Sequence, residues 1–175
     1  MEVREPPLDG EALERLYVRL ERPLFNVVYR MLWKAEDSQE VVQETFVRLF
    51  RMRERVRMSS VEPLAYRIAL NLANSRLRSR RLWRWVSLGA QWDRASPDPN
   101  AEDLLAAAQD GERLRSAIEG LSPDLRNVIL LCELSDLGYD RVAEALGIPP
   151  GTVGSRRHRA IEQLRDALGQ ERNHG

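Results

Sequence analysis

Residues 139–164 read YDRVAEALGIPPGTVGSRRHRAIEQL, and the spacing of apolar and small residues in this stretch predicts two helices joined by a tight turn. Tyr139, Val142, Ala143 and Leu146 recur at three- and four-residue steps, which stacks them on one face of a first helix. Gly147 stands where that helix must stop, because glycine enters the left-handed conformation without steric cost. Pro149 and Pro150 suit the entry of the next helix, where a missing amide hydrogen costs least. Val153, Ala160, Ile161, Leu164 and Leu168 then form the inner stripe of that second helix. A small Ala143 lets the two helices approach, and Val153 locks one against the other. This is the layout of a helix-turn-helix, whose second helix enters the major groove by its N-terminal half. Thr152, Ser155, Arg156 and Arg159 are left on the outer side of that half and are the candidate base and phosphate contacts.

Upstream of the motif the helical pattern continues. Leu114, Ala117, Ile118 and Leu121 share one helix. Ser122 and Pro123 supply a cap and a first-turn residue for the next, which buries Val128, Ile129, Leu131 and Cys132. A single cysteine forms no internal disulfide, so Cys132 reads as a core residue. With His158 and His174 as its only histidines, the chain is expected to hold no metal and no cofactor. The stretch from 87 to 110, acidic and broken by the SPDPN run at 96–100, reads as a linker whose second half is compatible with helix.

The N-terminal half carries three further helical segments. Leu13, Leu16, Leu20, Leu24, Val27, Val28, Met31 and Leu32 follow helical spacing, with Pro23 placed to end or kink the run. Asp37 or Ser38 is expected to cap a second helix with the apolar stripe Val41, Val42, Thr45, Phe46, Leu49. Residues 51–62 lack such a stripe and read as a helix end followed by a loop. Pro63 suits the first position of a third helix running to about Trp83. On that helix Leu64, Ala65, Ile68, Ala69 and Leu72 face inward. Arg67, Asn71, Asn74, Arg78 and Arg81 fall within an arc of roughly 80° elsewhere, given about 100° per residue. A row of guanidinium forks and amides suits nucleic acid, because both groups form paired hydrogen bonds with phosphates or base edges.

Net charge is zero, with 27 basic and 27 acidic side chains, but the charge is segregated. Residues 51–86 hold 10 basic and 2 acidic groups, whereas residues 87–125 hold 3 and 8. A basic stripe of this density is the footprint of a phosphate-binding surface. No phosphate loop, nucleophile elbow or zinc-protease pair is present, so no catalytic activity and no small-molecule substrate are expected. No apolar run approaches the roughly 20 residues of a membrane span, and the N-terminus MEVREPPLDGE lacks a signal peptide's pattern. A cytoplasmic location without membrane insertion is therefore expected.

Three blocks in order resemble the sigma-70 family of transcription initiation factors, in its extracytoplasmic-function branch. EDSQEVVQETFVRLF, 36–50, is similar to the family's region 2.2; AYRIALNLANSRLRSRR, 65–81, to regions 2.3 and 2.4; and residues 121–160 to region 4. The resemblance implies an all-α chain of two small helical domains joined by a flexible acidic linker. Its region 2 bundle would span 9–86, the linker 87–110, and its region 4 helix-turn-helix domain 111–170. It implies core RNA polymerase and promoter DNA as partners, and an anti-sigma factor as regulator. Asp37, Glu40, Gln43, Glu44 and Leu49 would then bind core polymerase. Arg55, Arg67, Asn71, Asn74, Arg78 and Arg81 would engage the minus-ten element, and Thr152, Ser155, Arg156 and Arg159 the minus-thirty-five element. The acidic linker, including Asp93, Asp98, Glu102 and Asp103, would mimic nucleic acid inside the polymerase. Two positions depart from the family pattern: Leu64, near which an aromatic is usual, and Gly154, where a lysine is common. Trp83, Trp85 and Trp92 would stack on bases or pack against the first domain. The competing reading is a stand-alone helix-turn-helix regulator acting without polymerase.

Overall fold

The computed structural model describes the backbone of residues 8–86 and 102–170, and the side chains of 8–80 and 109–169. Seven α-helices make up the described residues, with no strand: α1 Gly10–Leu32, α2 Ala35–Met52, α3 Val61–Val86, α4 Glu102–Gly120, α5 Pro123–Leu134, α6 Tyr139–Leu146 and α7 Pro150–Gln170. Two short 3-10 turns, Arg53–Arg55 and Met58–Ser60, join α2 to α3. Residues 87–101, most of the expected linker with Trp92, lie outside the described residues, as do the side chains of Arg81, Trp83, Trp85, Glu102 and Asp103.

Helix α1 begins where Asp9 accepts a hydrogen bond from the Ala12 amide at 2.7 Å. It continues through Pro23, which corrects the expectation of a stop there. Proline inside a helix costs about 3 kcal/mol. Leu20, Leu24, Val27 and Val28 around it are all buried, and each buried aliphatic side chain contributes about 1.5–3 kcal/mol. Packing on that stripe outweighs the lost backbone hydrogen bond. The helix ends at Trp33, whose left-handed backbone (φ 52°) lets its amide donate to the Tyr29 carbonyl at 2.7 Å. The Trp33 ring lies under the Arg30 and Arg115 guanidinium groups, at 5.1 and 5.8 Å, and beside Tyr29.

Helix α2 starts at Ala35, two residues ahead of the expected caps. Neither Asp37 nor Ser38 caps it: the Ser38 hydroxyl donates back to the Lys34 carbonyl, and Asp37 sits in the first turn. Likewise Pro63 is the third residue of α3, still inside the turn whose amides have no intrahelical partner. Ser122 does cap α5, accepting from the Leu125 amide, with Pro123 as the first helical residue. Gly147 ends α6 in the left-handed conformation (φ 66°), and the Ile148 amide closes onto the Ala143 carbonyl at 3.1 Å. Tyr139, expected on the inner face of α6, is instead 47% exposed at its first turn. Cys132 is half-buried rather than fully in the core, and burial pushes its thiol pKa upward.

One buried cluster runs from Leu8 through α1, α2 and α3 into α5, α6 and α7, ending at Ala160. The two modules therefore pack on each other, α1 against α4 and α5, and α3 against α6. At the far end of α4 the Arg126 side chain, only 4% exposed, donates to the carbonyls of Ile118, Glu119 and Leu121 at 3.0, 2.6 and 3.0 Å. A buried cation is tolerated because these helix-end acceptors replace its water. Arg126→Met, which keeps the length of the side chain and removes the donors, is expected to cost about 2–4 kcal/mol in urea-unfolding titrations. Arg126→Lys should recover only part of that loss.

Candidate polymerase and nucleic-acid interfaces

Helix α2 turns Ser38, Val41, Val42, Thr45, Phe46 and Leu49 into the core. Leu49 is fully buried, which corrects its assignment to a polymerase-binding surface: it shares the core stripe with Val42 and Thr45 and offers nothing to a partner. The outward row is Glu40, Gln43, Val47 and Phe50, at helical steps of three and four. Val47 and Phe50 are 41% and 48% exposed, and sequence reading passed over them because they lie off the apolar stripe that identifies the core. Apolar positions outside a helix's buried stripe are the signal that finds such residues. The Arg53 guanidinium lies over the Phe50 ring at 4.3 Å and donates to the Phe50 carbonyl at 3.0 Å.

The acidic candidates on α2 are all paired, some across to α3 and one along the helix. Asp37 pairs with Lys34 at 3.1 Å and with Arg80 of α3, and the Arg80 guanidinium also donates to the Leu32 carbonyl at 3.0 Å. Glu40 meets Arg76 at 2.9 Å while staying exposed, and the Arg76 guanidinium donates to the Asp37 carbonyl at 3.1 Å. Glu44 pairs with Arg48 along the same helix at 2.8 Å, and Gln43 is exposed. Arg76 and Arg80, part of the basic stripe counted in the sequence, thus fasten α3 to α2 instead of facing DNA. Burial pushes the Asp37 carboxyl up, but hydrogen bonds from Lys34 and Arg80 prevail and hold it below the ordinary carboxylate range. A depressed carboxylate stabilises the fold above its unfolded pKa, and that contribution is lost as pH falls through the folded value. Asp37→Asn should therefore lower thermal stability at neutral pH, with the gap from the unmodified chain closing below about pH 4, read in melting curves across pH.

On α3, Asn71 and Arg78 are exposed and Asn74 is half-buried, facing away from α2; Arg55 is exposed on the first 3-10 turn. Arg67 is exposed as well, but its guanidinium has partners within the chain. Its Nε–H donates to the Ala145 carbonyl at 3.0 Å and its terminal nitrogen to the Glu144 carbonyl. The C-terminal carbonyls of α6 carry the negative end of the helix dipole, so the guanidinium is a favoured donor there, added at Glu144 to the bond from the Gly147 amide at 3.3 Å. Tyr66, next to Arg67, is buried; desolvation, with Glu62 and Asp136 nearby, pushes its hydroxyl pKa strongly upward.

In the helix-turn-helix, Val142, Ala143, Val153 and Ala160 close the interior as the spacing requires, joined by Ala145, while Leu146, Ile161 and Leu164 are half-buried against it. Arg159 is exposed, Thr152 is half-buried, and the exposed Ser155 donates to the Thr152 carbonyl at 3.1 Å. Arg156 is held by Asp124 of α5 at 2.8 Å, and Arg157 by Glu133 at 2.6 Å. His158 lies 3.4 Å from Glu162. Among the described residues no group of three or more His, Cys, Asp or Glu side chains could hold a metal ion, and no helix is long and apolar enough to cross a membrane.

Among the described residues, a helical fold with a helix-turn-helix at one end and a basic, amide-bearing helix at the other is that of a DNA-binding protein, and α2 leaves a row of acidic, amide and apolar side chains exposed. Residues 16–82 match the family model for sigma-70 region 2, and residues 111–164 that for sigma-70 region 4. The chain is 34% identical to the ECF RNA polymerase sigma factor SigE of Mycolicibacterium smegmatis over 83% of its own length and 57% of that relative's. It is 30% identical to the RNA polymerase sigma-H factor of Pseudomonas aeruginosa, over 91% and 88% of the two chains. Its fold is similar to that of the sigma factor RpoE, solved in complex with the anti-sigma factor NepR from Bartonella quintana: TM-score 0.69, 22% identity, 91% and 98% coverage. The chain belongs to the sigma-70 family, in its extracytoplasmic-function branch.

Gly154, where a lysine is common in the family, sits inside α7, and a methyl group there would rest 3.9 Å from the Tyr139 ring, an ordinary packing distance. Gly154→Ala is therefore expected to stabilise the fold by about 0.5–1 kcal/mol, measured as a raised denaturation midpoint.

Proposed function

We propose that this chain binds core RNA polymerase, brings it to particular promoters and opens the minus-ten element by binding energy alone, in the cytoplasm and without catalysing a reaction. The observation that carries this reading is the co-occurrence, in order and in one chain, of both sigma-70 regions. A stand-alone regulator has no use for the first.

In this reading α2 docks on polymerase through Glu40, Gln43, Val47 and Phe50, with Asp37 and Glu44 at the margin. Apolar side chains rimmed by acidic and amide groups suit a basic helical partner: the apolar part supplies affinity and the charges set register. Asn71, Asn74 and Arg78, with Arg55 on the adjoining turn and Arg81 further along α3, engage the minus-ten strand. Taking one base out of the stack costs a few kcal/mol, which phosphate contacts and docking return. The N-terminal half of α7 reads the minus-thirty-five element through Arg156 and Arg159, with Thr152 and Ser155 closest to the helix start. Asp124 orients Arg156 before it meets DNA. An anti-sigma factor is the expected regulator, since the solved relative is held by one.

Transcription in vitro with core polymerase on fragmented genomic DNA tests the whole reading, and defined transcripts that require this chain are the expected result. Phe50→Glu, which adds charge at an exposed site, should weaken core-polymerase binding by about 10- to 100-fold. The same change should leave helicity and duplex binding intact. Operator binding without any association with core polymerase would transfer the assignment to a stand-alone regulator.

A further inference from the structure

Helix α7 packs across α5, and short side chains hold the crossing: Val153 and Ala160 are buried, with Ile161 and Leu164 half-buried beside them. At about 100° per residue, Arg156 and Arg157 fall about 50° to either side of the line through Val153 and Ala160. Each is paired with a different end of α5. Arg156 meets Asp124 in the first turn at 2.8 Å. Arg157 meets Glu133 in the last turn, its Nε–H and a terminal nitrogen both donating to one carboxylate oxygen at 2.8 and 2.6 Å. From position 124 to position 133 the two anchors stand about 13 Å apart along α5. A roll of α7 in one direction stretches one link, and a roll in the other direction stretches the other.

We propose that Asp124 and Glu133 are positioning residues, which contact no DNA themselves but fix the roll of α7 about its axis and with it the base sequence that α7 reads. The proposal rests on the reading of α7 as the minus-thirty-five helix, and it extends the part given to Asp124 from one side chain to the whole helix. A roll of about 20° carries a side-chain tip, about 5–6 Å from the helix axis, through about 2 Å. That is more than a hydrogen bond to a base edge tolerates. Stability does not account for these acids, because exposed ion pairs add little to it. Affinity does not either, because a carboxylate beside a DNA-reading helix repels phosphate. Both acids are exposed and both lie within ion-pair distance of that helix, where orientation is what they supply.

The full chain bound to core polymerase is offered a pool of duplexes randomised over the upstream element. Affinities for the selected sequence and for the unselected pool are then compared at fixed salt. Glu133→Gln should reduce that ratio about 3- to 10-fold, because misplaced side chains lose part of the discrimination at each base pair. Affinity for the unselected pool should hold or rise, since an acid has left the neighbourhood of phosphate. Asp124→Asn should lower the ratio in the same way. Glu133→Arg combined with Arg157→Glu, which reverses the pair, should restore it, with helicity by circular dichroism unchanged. Should the reversed pair lose helicity, Glu133→Asp takes its place, with an intermediate ratio expected. A ratio unmoved by Glu133→Gln and Asp124→Asn would overturn the positioning role, as would affinities that fall in parallel for selected and unselected duplexes, the mark of a weakened fold. If polymerase does not bind, the same pool is offered to the chain alone. Selection there that the variants relax transfers the assignment to a stand-alone regulator and leaves the positioning role standing; selection under neither condition sinks both.

Discussion

The last carbonyls of an α-helix run short of amide donors, and in this chain arginines add side-chain donors at four helix ends. Arg80 bonds the end of α1, Arg53 that of α2, Arg126 that of α4 and Arg67 that of α6. Each joins a planar cation to the negative pole of a helix, and in three of the four the donor comes from a different helix than the acceptor. Small helical modules bury limited apolar area. Helix-end bonds of this kind add directional links where packing alone would let helices slide, and they tie α3 to α1, α5 to α4 and α3 to α6.

The same chemistry explains how one basic stretch serves two purposes. Along α3, the arginines that face α2 meet Asp37, Glu40 and the end of α1, while Arg78 and its neighbouring amides remain open to solvent. Charge counted along the sequence therefore overstates the surface offered to DNA. On α2 the acidic groups are paired as well, Glu40 while staying exposed beside Gln43, Val47 and Phe50, and Asp37 at a half-buried site between Lys34 and Arg80.

Apolar periodicity made the helices and the helix-turn-helix legible. The stripe of α1, the Ser122–Pro123 start of α5 and the Gly147 stop of α6 all follow from spacing and local backbone chemistry. What stayed hidden depends on tertiary neighbours. Pro23 remained within α1 because burial around it exceeded its local cost. The family resemblance implies a surface role for Leu49, whereas its spacing from Val42 and Thr45 places it in the core stripe, where it is buried. Arg67 could be placed on a face by its angle, but no local pattern says that the end of a helix 77 residues later comes to meet it. A long, flexible cation declares its direction in sequence and its partner only in three dimensions.

Trp33 sets the turn between α1 and α2 with just one further residue, Lys34, before the next helix starts. Holding a tryptophan in the left-handed region costs about 1–2 kcal/mol, and the ring's packing beneath two guanidinium groups offsets it. So short a corner leaves no slack in rotation: one inserted residue would swing α2 by about 100° about its axis and carry the outward row around to the wrong side. The length of this corner is therefore under sharper restraint than its composition, and a partner meets an already rigid ledge that loses little entropy on being gripped.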